Sequence, residues 1–362
     1  MTARHPEILI IGAGIVGAAI AYRLAVRGAN VMLVDEARAP GCGVTGRAFG
    51  WINIINGTPT HQNYPLWQRA LDAYGDLRQE LPHVLQAARP GALVWKATRE
   101  ETEDFGRLRQ DAGEPVQLLD SDALSRLEPR LRNPPDLAVF SPQDLALDPA
   151  ALARSLVAEA VKAGASTRFG QPVSAIETVA GRATGIHIAG EMIAADTVVL
   201  SAGAGVGRLA ADLGIEIGLQ SSPALLLRYG CSAPVVGHIL KTPRVEVRQA
   251  PDHALLVAKS WSPDADADRS RKIGEAMLSV LQEEFDLPDG VTLLAAEVGV
   301  RPMLADGMPR LGYLPGVSGV YLAVGHPGVI LAPLLGTLAA DEILNGKATG
   351  LTASLASGVN AL

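Results

Sequence analysis

The stretch Glu7–Glu36, EILIIGAGIVGAAIAYRLAVRGANVMLVDE, decides the fold of the N-terminal part of this chain. Glu7 to Ile11 reads as a buried strand, and Gly12-Ala13-Gly14-Ile15-Val16-Gly17 follows it directly, ahead of a helical run that ends near Arg27-Gly28. Gly12 permits the tight turn, Gly14 lets backbone approach a pyrophosphate, and Gly17 allows close contact between helix and strand. The helix N-terminus at Ile15 and Val16 supplies unpaired N–H groups and positive potential, so an anion is expected there. Asn30 to Val34 then forms a second strand and ends in Asp35-Glu36. That is the spacing at which a carboxylate accepts from adenosine ribose hydroxyls, with Asp35 the first choice and Glu36 the second. Strand, turn, helix, strand and terminal acid together specify a βαβ dinucleotide site. The acid disfavours NADP, whose extra phosphate it would repel; FAD and NAD both remain compatible.

Bulk properties narrow the rest. At 362 residues the chain is long for one core, so two domains are expected. An apolar share of 48% with 19% charged residues fits an ordinary globular protein with a large interior. A formal charge of -7, with no Lys/Arg cluster interleaved with aromatics, argues against nucleic acid as a partner. Cys42 and Cys231 form no spacing motif, which points to a reducing compartment and a cytoplasmic protein. The apolar run Ile8–Ala21 is too short to span a bilayer and no small-residue cleavage site follows it, so neither a membrane span nor export is expected. His61, His187 and His253 lack metal-ligand spacing, and no metal site is expected.

Further along, Gly41 to Trp51 is glycine-rich and includes Thr45, Gly46, Arg47 and Gly50. It is either a surface loop or backbone held against something flat or charged. Asp148-Pro149 opens a helix over Ala150–Ala163 that Gly164 ends, and short strands follow around Thr167, Ala175 and Ile186. Thr197–Leu200 is a buried strand running into the small-residue turn that holds Ala202 and Gly203. Near the end, Val320–Val324 is a strand, Gly325-His326-Pro327-Gly328 a turn, and Pro333–Leu344 a helix. Helices are also expected around Leu66–Leu81 and Arg107–Leu127, a mixed sheet over Ser222–Leu294, and an exposed loop over Trp261–Arg271. A strand over Pro243–Arg248 would place Arg244, Glu246 and Arg248 on one face, which is either solvated or turned to a cavity.

Five segments carry a resemblance that spans nearly the whole chain: IIGAGIVGAAIAYRLAVRGANVMLVDE, DLALDPAALARSLVAEAVKAGA, DTVVLSAGAG, GVRPMLADGMPRLG and GHPGVILAPLLG. With them the chain resembles the D-amino-acid-oxidase-like flavoenzymes, and among these the glycine oxidase and sarcosine oxidase branch. The resemblance implies an α/β architecture: a Rossmann-type domain binding FAD in the glutathione-reductase-like manner, and a second, mixed-sheet substrate domain. The first would be discontinuous, 1–60, 145–220 and 297–362, and the second 61–144 and 221–296. It implies that the glycine turn, Asp35 and the backbone at Val173 hold the ADP half of FAD. Gly325 to Leu331, including Gly328, Val329 and Ile330, would lie along the flavin, with a helix starting near Pro333 directing free N–H groups at it. The attachment position of covalent relatives falls near Gly299, away from either cysteine, so FAD is expected to be non-covalent.

The same resemblance assigns Arg301, in Gly299-Val300-Arg301-Pro302, to the clamp on a substrate carboxylate, for which a guanidinium's paired donors are suited. A structural alternative pairs Arg301 with Glu297 or Asp306. The implied reaction is oxidation of a C–N bond in a small amino acid or secondary amine, by hydride transfer from a carbon beside a neutral amine, giving an imine that hydrolyses. Such chemistry needs no strong protein base; His326 either caps its turn or serves the site. At positions near Arg244 and Glu246 the glycine oxidase branch has histidine and tyrosine, and the GHPGV turn is shorter and lacks an arginine found there. Glycine is therefore disfavoured as substrate, and Glu246 or its neighbours are expected to read a polar or charged extension on a larger amino acid. Leu256 stands near the position of an oxygen-activating lysine. Three functions follow: an oxidase using O2, a flavin-bearing subunit of a multisubunit dehydrogenase passing electrons to a protein or quinone, or a non-catalytic FAD-binding module. A homo-oligomer is compatible with any of them.

Overall fold

The structure, a computed structural model, describes residues 7–61, 63–261, 267–346, 348–356 and 360–361. Strand Ile8–Ile11 is buried at every position, as a parallel strand covered on both faces must be. It pairs in parallel with Val31–Asp35 on one side and Thr197–Leu200 on the other. Ser166–Phe169 and Val320–Val324 extend the sheet at its two ends, and Arg310–Tyr313 closes one edge antiparallel.

Helices Ile15–Ala25, Pro149–Lys162 and Gly328–Asn345 cover one face of this six-stranded sheet through a single apolar core. Close approach explains the small residues there: a Cβ on Gly336 would lie 2.9 Å from the Ala19 backbone. Asp148 caps the second helix by accepting from the amides of Ala150 and Ala151, with Pro149 at its first turn. A three-stranded antiparallel sheet, Val173–Val179, Arg182–Ile188 and Glu191–Ala194, packs its apolar face on the other side. Among the described residues, Gly328–Asn345 is the one helix long and apolar enough to cross a membrane, and more than half of it is buried inside the protein.

A nine-stranded sheet forms the second layer system. Its order is Thr292–Met303, Gln220–Gly230, Leu255–Ser260, Glu246–Gln249, Ile239–Lys241, Arg89–Val94, Leu137–Ala146 and Trp51–Ile52, with Gln117–Asp120 also on Leu137–Ala146. It is mixed, because Ile239–Lys241 runs parallel to Arg89–Val94 while the other pairs are antiparallel.

Several expectations need correcting. The limits drawn at 145 and 297 fall inside the strands Leu137–Ala146 and Thr292–Met303, and Trp51–Ile52 of the first segment pairs into the large sheet. Both limits cut strands that belong wholly to the large sheet, and an apolar run does not show to which sheet it belongs. Arg107–Leu127 is not one helix: Arg99–Asp111 ends before Gly113 at φ +80°, then strand Gln117–Asp120 and helix Ser121–Leu127 follow. The loop expected over 261–271 gives way to helix Ala267–Glu284, whose exposed face carries the i,i+4 pairs Asp268–Lys272 and Arg271–Glu275; residues 262–266 lie outside the described residues. The last long helix begins at Gly328, one turn before Pro333.

Candidate active site

A cavity of about 820 Å³ is lined from both sheets. The nucleotide side contributes Gly12, Gly14, Ile15, Val16, Asp35, Glu36, Val173, Ala202 and Gly203, together with Thr45, Arg47, Gly50 and Trp51 from the glycine-rich segment. Gly325, His326, Gly328, Val329 and Ile330 line it from the late turn, and Glu246 and Arg301 from the large sheet.

The glycines have separable reasons. Gly12 has φ +108°, and a Cβ there would lie 2.5 Å from the Ser201 carbonyl oxygen. Gly14 is the extended residue before the first helix, with its missing side chain toward the cavity and Thr45 Oγ1. Gly17 is not on the cavity wall; a Cβ there would overlap the Gly12 carbonyl oxygen, so its role is to let helix and turn touch. Gly46 is not on the wall either, contrary to expectation. It closes its loop, where a Cβ would stand 2.7 Å from the Gly41 oxygen.

Asp35 lies at the cavity with both carboxylate oxygens engaged, accepting from Ala13 N at 2.6 Å and Ala37 N at 2.7 Å. Thr45 Oγ1 accepts from Ile15 N at 3.1 Å, so the hydroxyl stands at the helix N-terminus and leaves the Val16 amide without an intrahelical partner. The late helix has no side-chain cap, and its first bond is Leu331 N to Pro327 O at 3.1 Å. The amides of Gly328, Val329 and Ile330 are therefore the free donors on this wall, not those near Pro333. Pro333 has no N–H for the Val329 carbonyl four residues earlier, and the Tyr74 hydroxyl donates to that oxygen instead at 2.6 Å.

At the other end, Arg301 donates from Nε to Ser222 O at 3.1 Å and from Nη2 to Ser222 Oγ at 2.8 Å. Neither acid proposed as its structural partner holds it: Glu297 lies 3.8 Å from Arg47, and Asp306 lies 2.8 Å from Arg310. Among the described residues no carboxylate pairs with Arg301, and burial pulls its pKa down. His326 is largely enclosed; burial first, and then the Arg301 charge, lower its pKa to about 4. It is neutral at neutral pH. Burial raises the Glu246 pKa, opposed by Lys241 Nζ at 3.9 Å.

Arg244 is not part of this wall. The strand begins at Glu246, and Arg244 precedes it, exposed and paired with Glu283 and Glu284. Arg248 is 2% exposed and off the wall as well, its guanidinium donating to Leu147 O at 2.8 Å and to Phe49 O. Leu256 is buried away from the cavity; Ala258 is the residue of that strand on the wall.

Sequence reasoning overlooked Asn53 and Asn56, which line the cavity, and Lys241, whose Nζ donates to Asn56 Oδ1 at 2.7 Å. It also overlooked Asp144, fully buried behind the cavity, which accepts from Trp51 Nε1 at 2.8 Å and Ser141 Oγ at 3.0 Å and has its pKa raised by burial to about 7. The available signal was two asparagines inside the apolar run that follows Trp51.

A glycine-built dinucleotide cradle and an uncapped helix N-terminus meet in one cavity under a mixed sheet that offers an unpaired arginine. Together they define a two-domain FAD-dependent oxidoreductase. The chain belongs to the DAO family, FAD dependent oxidoreductase, whose model matches residues 7–342, and it binds FAD. It is similar to glycine oxidase of Geobacillus kaustophilus (strain HTA426), 27% identical over 95% of this chain and 94% of that one. D-amino acid dehydrogenase of Rhizobium johnstonii (strain DSM 114642 / LMG 32736 / 3841) is 25% identical over 88% of this chain and 91% of that one. The crystal structure of iminodiacetate oxidase from Chelativorans sp. BNC1 superposes with a TM-score of 0.81 at 26% identity, covering 94% of this chain and 96% of that one.

Proposed function

We propose that this enzyme oxidises the C–N bond of an amino acid or secondary amine larger than glycine, with the substrate carboxylate held by Arg301. The observation that carries this reading is that Arg301 reaches the cavity without a protein carboxylate, fixed on one edge by Ser222 and open to an incoming anion. Bound FAD supplies the two-electron acceptor. The chain's own residues hold, orient and dry the substrate. The enclosed cavity and the Arg301 charge favour the neutral form of the substrate amine, whose nitrogen lone pair forms the C=N bond as the α-hydride leaves. His326, neutral beside Arg301, adds no competing charge. Water then hydrolyses the imine to an oxo acid and ammonia, or a primary amine from a secondary one. The amides of Gly328, Val329 and Ile330 suit a site where negative charge develops. These residues, the glycine cradle and Asp35 are the proposed FAD contacts, with the cofactor held non-covalently.

A second reading concerns the electron acceptor. No lysine is among the described residues on the cavity wall, and Lys259 follows Ala258 onto the opposite face of its strand. A dehydrogenase passing electrons to a protein or quinone is therefore the alternative to an O2-using oxidase, with Lys241, which touches the wall residues Asn56 and Glu246, the lysine nearest the cavity among the described residues. We also propose a cytoplasmic setting, on the sequence's two cysteines without a spacing motif. Ammonia, oxo acid and oxygen consumption measured together test both readings. Stoichiometric ammonia and oxo acid support C–N oxidation; turnover with an artificial acceptor but little oxygen uptake supports the dehydrogenase. Turnover that yields neither a released amine nor, from a cyclic secondary amine, a cyclic imine or its ring-opened amino carbonyl product would refute the proposal.

A further inference from the structure

Glu246 and Arg301 lie on one face of the large sheet. Arg301 pairs with Ser222, while Leu226 pairs with Ala258, which in turn pairs with Glu246. The wall between the two charged groups is built from Ala224, Leu226 and Ala258, the apolar floor of a trough whose polar ends are the two charges, while Gly299 beside Ala224 is covered by Arg47 and Val44. The Arg301 guanidinium leans onto Ser222, so the trough runs from there over two strands and four residues to Glu246, about 16 Å between backbone positions on a flat sheet. That separation is of the order spanned by an extended α-amino acid with a long side chain whose two ends reach the two charged groups.

The far end of the trough carries a carboxylate in a loose ion pair. Lys241 is the nearest cation to Glu246, but at 3.9 Å it is beyond hydrogen-bonding distance and donates to Asn56 instead. Among the described residues, no hydrogen bond reaches the Glu246 carboxylate, although 28% of the side chain remains accessible. An enclosed carboxylate with unused acceptor sites is completed by a cation.

We propose that Glu246 selects basic α-amino acids, whose carboxylate lies on Arg301 and whose distal ammonium or guanidinium lies on Glu246. This rests on the proposed function, and deepens it by naming the substrate class. An acidic side chain would meet Glu246 with like charge, and a neutral one would leave its acceptors unused.

The test is anaerobic reduction of the FAD-loaded enzyme by both enantiomers of lysine, ornithine, arginine, norleucine and glutamate, with rate and half-saturating concentration read from flavin absorbance. At least one basic amino acid should exceed norleucine by roughly tenfold or more in rate over half-saturation. Glu246→Gln should lower the ratio of the best basic substrate to norleucine by roughly tenfold, with FAD still bound. Glu246→Asp, which retains the charge, should keep part of the preference. Norleucine or glutamate equal to the basic substrates in the wild type would overturn the proposal. So would an equal loss for all substrates in Glu246→Gln with FAD still bound. If adding N-alkyl amino acids to the panel still left the wild-type flavin oxidised with every compound, C–N oxidation itself would fail, a result distinct from reduction without preference for basic side chains.

Discussion

Arg301 is available to a substrate because the two nearby acids are occupied by other arginines, Glu297 with Arg47 and Asp306 with Arg310. Replacing it with leucine removes a charge-assisted contact in an enclosed site. Arg301→Leu is expected to raise the apparent KM and lower kcat/KM by roughly a hundredfold or more. FAD content, read from flavin absorbance, should not change; unaltered kinetics would remove the clamp. His326 carries a different prediction. Its pKa lies below that of an ordinary histidine, so its native form binds fewer protons than the unfolded chain between about pH 6.5 and 4. Its contribution to stability is full above that window and lost as pH falls through it. Denaturation of the FAD-loaded enzyme should therefore show a shallower loss of stability across that window in His326→Gln. Both residues were visible in the sequence through their short motifs. Glu246 was visible only as a charge in an alternating run, and Arg244 was read with it because the alternation does not show where the strand begins.

At the scale of elements, the late helix shows why its start was misplaced. Pro333 is a strong N-terminal signal in sequence, but here it sits one turn inside the helix, and the bond it cannot make to the Val329 carbonyl is replaced by Tyr74 from helix Tyr64–Glu80. No local pattern reveals a donor from so distant a segment. Tyr74→Phe leaves the carbonyl unsatisfied and is expected to cost about 1–3 kcal/mol, with weaker FAD binding, as checked by denaturation and FAD titration. The strand–helix turn was legible because every part of it is local. Gly12→Ala, forced to φ +108° against the Ser201 carbonyl, should lose bound FAD on purification. Asp144 behaves oppositely to His326. Its raised pKa means the native state holds a proton that the unfolded chain releases between about pH 4 and 7, so its contribution weakens as pH rises through that window. Asp144→Asn should flatten this slope in denaturation measured from pH 4 to 8, and an unchanged slope would remove Asp144 as its source.

For the molecule as a whole, the two sheets differ in how far the sequence reveals them. The parallel sheet is assembled from strand–helix units whose order follows from local apolar runs, and the turn at Gly12, Gly14 and Asp35 was legible there, whereas Gly17 and Gly46 lie off the cavity wall and Asn53 and Asn56 on it. In the large sheet the register that sets Arg301 beside Ser222 and Ala258 beside Glu246 joins distant segments. Which residues face the cavity depends on that register, and a shift of one position turns every side chain over. Lys241 and Asp144 became visible only through it. Because the cavity is lined from both sheets, FAD should stabilise the chain as one unit; a ligand at a hundred times its Kd contributes about 2.7 kcal/mol. The central claim, that this cavity oxidises a C–N bond with the substrate carboxylate on Arg301, is tested most directly by mixing the FAD-loaded enzyme anaerobically with D-, L- and N-alkyl amino acids and with the matching amines that lack a carboxylate. Bleaching of the flavin by an amino acid, with loss of that response for its decarboxylated counterpart and in Arg301→Leu, is the expected result. Flavin that stays oxidised with every amino acid, or that is reduced equally well by the decarboxylated amines, would contradict it.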